Sequence, residues 1–101
     1  MGPRDLLISD HRRLFGRADA VEWDASAPVV EVRAAQMQHW AAQQVFKSLQ
    51  ARGASVADAA ESWLLNAEGV RRKLRGETWA SLRDLAMWEL YVEHADGCET
   101  T

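Results

Sequence analysis

Residues 53–88, GASVADAAESWLLNAEGVRRKLRGETWASLRDLAMW, decide how the chain folds. Ser55 opens a run in which Val56, Ala59, Ala60 and Trp63 recur at helical spacing, and Asp58, three residues on, completes a capping box. Only Leu64, Leu65 and Asn66 separate this run from the next. Asn66 is a good N-cap and Gly76 a natural left-handed stop, so a short helix is expected over residues 67–75. Thr78 or Ser81 then caps a further helix reaching about His94, whose apolar set (Leu82, Leu85, Ala86, Trp88, Leu90 and Val92) needs more than one partner surface.

The 67–75 helix carries four cations in the five positions 71–75. At about 100° per residue, Val70 and Leu74 fall on one side, and Glu68, Arg71, Arg72 and Arg75 share a stripe on the other. A charge run of this kind taken alone reads as a solvated face. An aliphatic back with a cationic front also suits phosphates and base edges, because Arg offers a two-pronged fork to guanine O6 and N7. Glu68 either accepts from cytosine N4 or pairs with Arg71 and Arg72. A short helix with small residues on its buried face, a tight turn and a basic helix centred on Val are together the parts of a helix-turn-helix.

The same stretch resembles the phage Cro/repressor-like family of helix-turn-helix domains, without gaps over about 35 residues. The residues that carry the resemblance are Ser55 opening the first motif helix, Ala60 midway along it, Val70 in the second, Gly76 just past its end, and then Ser81, Leu82 and Leu85. Two positions depart from the family pattern. The turn has Leu64 where the family usually has Gly, and Lys73 stands where an aliphatic residue is common, with Leu74 beside it. Gly69 also weakens the helix, by up to ~1 kcal/mol relative to Ala. The resemblance implies a sequence-specific regulator of repressor type bound to double-stranded DNA. Asn66, Ala67 and Glu68 would enter the major groove first, with Arg71, Arg72 and Arg75 following. Ser55 would offer its backbone N–H and hydroxyl to a phosphate, and Lys47, Arg52 and Arg83 would be flanking phosphate contacts.

Upstream, Ala42, Val45, Phe46 and Leu49 keep a helical period from about Ala34, with Met37 and Trp40 extending the apolar side and Gly53 ending it. Residues 1–33 are harder to read. Pro3–Phe15 suggests a short helix ending at Gly16. Residues 21–32, VEWDASAPVVEV, suggest either a short β-hairpin about Ser-Ala-Pro or a long helix opening at Pro28. The expectation is therefore a mainly all-α, compact helical domain over residues 34–95, preceded by an extension (1–33) and followed by an acidic tail (96–101).

Composition narrows the function. The 101 residues are 48% apolar with five Trp and make one folded domain. Neither a membrane span nor a signal peptide is legible, and the lone Cys98 fits a reducing bacterial or phage-host cytoplasm. The formal charge of −3 argues against bulk coating of nucleic acid, yet residues 47–83 hold seven cations against four carboxylates, beside a C-terminal segment with no Lys or Arg. Trp40, Trp63, Trp79 and Trp88 read as core. His94 and Cys98, with His11 and His39, make a poor metal set, so neither cofactor nor metal is expected. No nucleophile has a base beside it, and enzyme activity is not expected. Several readings of the extension follow. It packs on this domain or its twin and helps build a homodimer whose basic helices lie one DNA turn apart, or it simply thickens the monomer's own core. In an antitoxin, residues 1–33 would grip a toxin while the core binds DNA; in a protein-interaction module, the helical fold would bind a protein through Leu14, Phe15 and Trp23.

Overall fold

The computed structural model describes the backbone of residues 1–97 and the side chains of residues 1–94. The acidic tail and Cys98 of the His94/Cys98 pair lie outside the described residues or at their edge. Four α-helices follow two short 3-10 turns: α1 (Val29–Arg52), α2 (Val56–Ser62), α3 (Ala67–Leu74) and α4 (Leu82–Gly97). The mainly all-α class holds. No described helix is long and apolar enough to cross a membrane.

Each helix ends where its sequence provides a stop. Gly53 turns left-handed (φ 67°) and Ala54 N–H donates to Leu49 O (2.9 Å), closing α1. Ser55 and Asp58 exchange both bonds of a capping box at the start of α2 (3.1 and 2.9 Å). Asn66 caps α3 by accepting from the N–H groups of Glu68 and Gly69 (3.0 and 3.2 Å). Gly76 (φ 77°) closes α3, with Glu77 N–H returning to Arg72 O (2.9 Å). Ser81 and Asp84 repeat the reciprocal pair at α4 (2.8 and 3.0 Å).

Of the two readings of residues 21–32, the long helix opening at Pro28 holds and the hairpin is not present. Helix α1 begins at Val29 with Pro28 as its N-cap, and so claims Val29, Val30 and Val32, which a second strand would need. Among the described residues the extended pairing that remains is a single antiparallel bridge between Leu7 and Trp23. The stretch from Pro3 to Gly16 is likewise two 3-10 turns, Pro3–Leu6 and Ser9–Leu14, and not one α-helix.

Helices α1 and α4 lie side by side and run the same way: Gln38 meets Ala80 just before α4, and Arg52 at the far end of α1 donates to Tyr91 O at 2.8 Å. The core gathers Ala42, Val45 and Leu49 of α1, Ala59 and Ala60 of α2, Val70 and Leu74 of α3, and Trp88 of α4. Met37 and Trp40, expected to extend the apolar side of α1, instead face outward, at 57% and 56% exposure.

Residues 1–33 do not form an arm. Leu7 and Phe15 join the same core at 1% exposure each, a burial worth about 1.5–3 kcal/mol per side chain. The segment wraps the C-terminal end of α3: Arg4 N–H donates to Gly76 O (3.0 Å), and a Cβ on Gly76 would fall 2.6 Å from the Phe15 ring. Phe15 and Trp23 both set their rings edge-on to His39 (5.3 and 5.7 Å). Phe15 is therefore not surface for a second protein, and Trp23 is half-buried.

Candidate nucleic-acid interface

Helix α3 presents two faces, as its spacing implies. Val70 and Leu74 are buried against the core, while Arg72 and Arg75 are exposed and Arg71 is partly so. Two devices fix its orientation. At the N-terminal end, Leu64 takes the left-handed conformation (φ 59°), which lets Leu65 N–H return to Ala60 O (2.9 Å) and turns the chain sharply into α3. The turn therefore has the geometry that glycine usually supplies. Leu64 adopts it at a cost of about 1 kcal/mol, with its side chain 92% exposed.

At the other end Gln38, buried in α1, donates from Nε2 to Lys73 O (2.8 Å) and Thr78 O (3.0 Å) and accepts at Oε1 from Ala80 N–H (2.8 Å). One side chain thus holds the last turn of α3 and the loop into α4. Lys73, the departure from an aliphatic residue, is turned off the cationic stripe and bonds Asp84 at 2.8 Å, tying α3 to α4. Burial opposes ionisation of Asp84. The bond from Lys73, the N–H and hydroxyl bonds of Ser81 and the Lys73 charge outweigh it, and they hold the carboxyl below the usual range.

The outer stripe is partly self-neutralised. Arg71 pairs with Glu68 at 2.8 Å, while Arg72 and Arg75 both reach Glu77, at 3.6 and 3.5 Å. These exposed pairs are worth little and can exchange for phosphate. Three guanidiniums face two carboxylates, so the face keeps a positive excess.

The other expected contacts are placed less simply. Ser55 N–H is already occupied by Asp58, and the Asn66 oxygen by its cap. Ala67 is half-buried beside the core. Lys47 lies 3.9 Å from Asp19, both exposed. Arg52 stacks 3.9 Å over the Tyr91 ring besides bonding its carbonyl, so it fastens α1 to α4. Arg83 is exposed and makes no ion pair among the described residues. Of the four tryptophans expected in the core, Trp88 is buried and Trp63 packs edge-on to Tyr91 (5.2 Å), whereas Trp40 and Trp79 lie on the surface.

Both remaining described histidines upstream are engaged structurally. His11 Nδ1 accepts from Glu22 N–H (2.8 Å). His39 Nδ1 accepts from Gly16 N–H (2.7 Å), so Nε2 carries the proton and donates to Ala18 O (3.1 Å). Burial lowers the pKa of His39, against smaller opposing effects of the Ala18 carbonyl and Asp19.

The extension adds cations that helical periodicity could not reveal. Arg4, Arg13 and Arg17 come to the same pocket as Arg75, at the C-terminal end of α3. Their trace in the sequence is only a density of arginine, with four in the first 17 residues, and nothing there says which helix they approach. No family model, curated protein or solved structure matches this chain.

Proposed function

We propose that the protein is a sequence-specific DNA-binding transcriptional regulator of repressor type, acting in a bacterial or phage-host cytoplasm and reading the major groove with α3. The observation that carries this reading is the posture of α3. It is a short helix anchored by Val70 and Leu74, entered through a left-handed turn and held at its far end by Gln38, with Arg71, Arg72 and Arg75 outward. A merely solvated stripe needs none of that fixation. Selection from a pool of random duplexes tests it. Enrichment of one common sequence is expected, and recovery of unenriched DNA would count against it.

One such helix reads only a few base pairs, so two copies on a palindrome complete the site. Leu7, Phe15, Val21 and Trp23 of the extension pack on the chain's own core, so we place the contact on another surface. Met37, Ala41, Leu82, Leu85 and Ala86 line a cleft of about 440 Å3 between α1 and α4, with Leu82 83% exposed. Leu82, Ala86, Glu89 and Glu93 lie roughly opposite Asp84 on α4, so the cleft faces away from α3.

Its lining charges lie at one end. Glu89 and Glu93 border the C-terminal half of the cleft, and Arg33, one turn before Met37 on α1, lies beyond the other end; none is ion-paired among the described residues. A second copy docked antiparallel sets each basic end against an acidic one and opposes the helix dipoles. Sedimentation of wild type and Leu82→Asp decides this. A dimer lost on substitution, with the melting temperature unchanged, is expected. A wild-type monomer at high concentration and on DNA would rule it out.

A further inference from the structure

We propose that Arg4, Arg13, Arg17 and Arg75 form a phosphate-group site, occupied by a backbone phosphate of the bound DNA where the strand passes the C-terminal end of α3. This deepens the DNA-binding reading and rests on it for the source of the phosphate. Side chains of these four arginines, with Phe15, line a pocket of about 230 Å3.

The pocket is assembled from distant parts of the chain. Arg75 is the C-cap of α3, Arg4 is fixed by its N–H bond to Gly76 O, and Arg13 is on the second 3-10 turn. The Arg17 guanidinium lies 4.2 Å over the Phe46 ring. Phe15 lies against Gly76 and makes the apolar wall.

The one nearby carboxylate that pairs with the cluster is Glu77, 3.9 Å from Arg4 and 3.5 Å from Arg75, and it is shared with Arg72. Asp5 is taken up by Gly2 N–H and Arg12. Arg13 and Arg17 make no ion pair among the described residues, so the four arginines outnumber the carboxylates beside them, which are Glu77 next to Arg75 and Asp5 and Asp10 next to Arg4 and Arg13. A phosphate supplies the several acceptor oxygens that converging guanidinium forks require. Because Arg75 also borders the outer stripe of α3, a phosphate held here is continuous with the DNA path across Arg71 and Arg72.

The test uses the full chain and the double variant Arg13→Gln/Arg17→Gln, both exposed positions outside the α3 stripe. Wild type and variant are titrated with the selected duplex and a shuffled duplex over a range of salt. The variant is expected to bind both about tenfold more weakly at low salt, with the slope of log K against log salt reduced by about one to two and the ratio between duplexes unchanged. Equal affinity and an equal slope, with wild type still preferring the selected duplex, would overturn the site and leave the DNA reading standing. If wild type binds no duplex, the DNA reading fails first, and inorganic phosphate and pyrophosphate are then used as probes. A rise in melting temperature for wild type and not for the variant would assign the site to a free anion, and no rise in either would overturn it.

Discussion

Replacing Gln38 by Leu removes the one side chain that joins α1 to both the end of α3 and the loop beyond it. Leu keeps most of the volume, so the cavity contribution is small and the loss is of hydrogen bonds. Gln38 is 2% exposed and makes three, to Lys73 O, Thr78 O and Ala80 N–H. Lys73 O keeps a second partner in Gly76 N–H (3.1 Å), whereas the other two groups lose theirs. At about 1 kcal/mol for each bond, with orphaned groups somewhat more, the cost is about 3 kcal/mol. A domain of this size has about 5–15 kcal/mol in total, so the variant should fold but melt more than about 10 °C lower. Urea titration followed by Trp fluorescence measures this directly. DNA affinity should fall as well at temperatures where the protein is still folded, because the angle of α3 is no longer fixed. A loss below about 1 kcal/mol with DNA affinity unchanged would refute the idea that Gln38 sets α3 in place.

Leu64→Gly should raise stability by up to about 1 kcal/mol, since it relieves a left-handed residue whose side chain is 92% exposed; a lower melting temperature would mean that Leu64 has a packing role. His39 is held neutral, with its pKa below the ordinary 6.5 chiefly through burial. The stability it contributes is therefore whole above that value and is lost as pH falls from there toward the lowered folded pKa. Urea midpoints should drop between about pH 7 and pH 5, and a flat profile would contradict the neutral tautomer bonded to Gly16. Val70→Asp places a carboxylate on the buried side of α3 at a cost of several kcal/mol, and an unchanged melting temperature would mean that the faces of this helix are reversed.

Helices α2, α3 and α4 were legible because their signals are local: a cap at Ser55, Asn66 or Ser81, a stop at Gly76, and one period linking Val70 to Leu74. The outward stripe of α3 followed from the same period. What escaped the sequence depends on contacts distant along the chain. Nothing local sets Gln38 apart from the other glutamines of α1, and its role appears only when α3 and the α4 loop come within reach. Lys73 stands in the sequence only as a cation where an aliphatic residue is common, and its bond to Asp84 becomes visible only when α4 is packed against α3. The extension is the least legible part. Two 3-10 turns leave no periodicity, and neither the burial of Leu7 and Phe15 nor the convergence of Arg4, Arg13 and Arg17 on Arg75 has a local signature. Met37 and Trp40 fit the apolar period of α1, yet they face outward because the neighbouring helices cover a narrower stripe than the period allows.

The central claim is that the outer face of α3 reads base sequence. Anisotropy titration of the selected duplex and a shuffled duplex tests it with wild type and the Arg71→Ala/Arg75→Ala variant, after matching melting curves have confirmed that the variant is folded. Each lost two-pronged contact to a base is worth about 1–3 kcal/mol, so the variant should lose roughly tenfold or more of the preference for the selected duplex. A folded variant that keeps the wild-type preference would show that α3 is not the reading element.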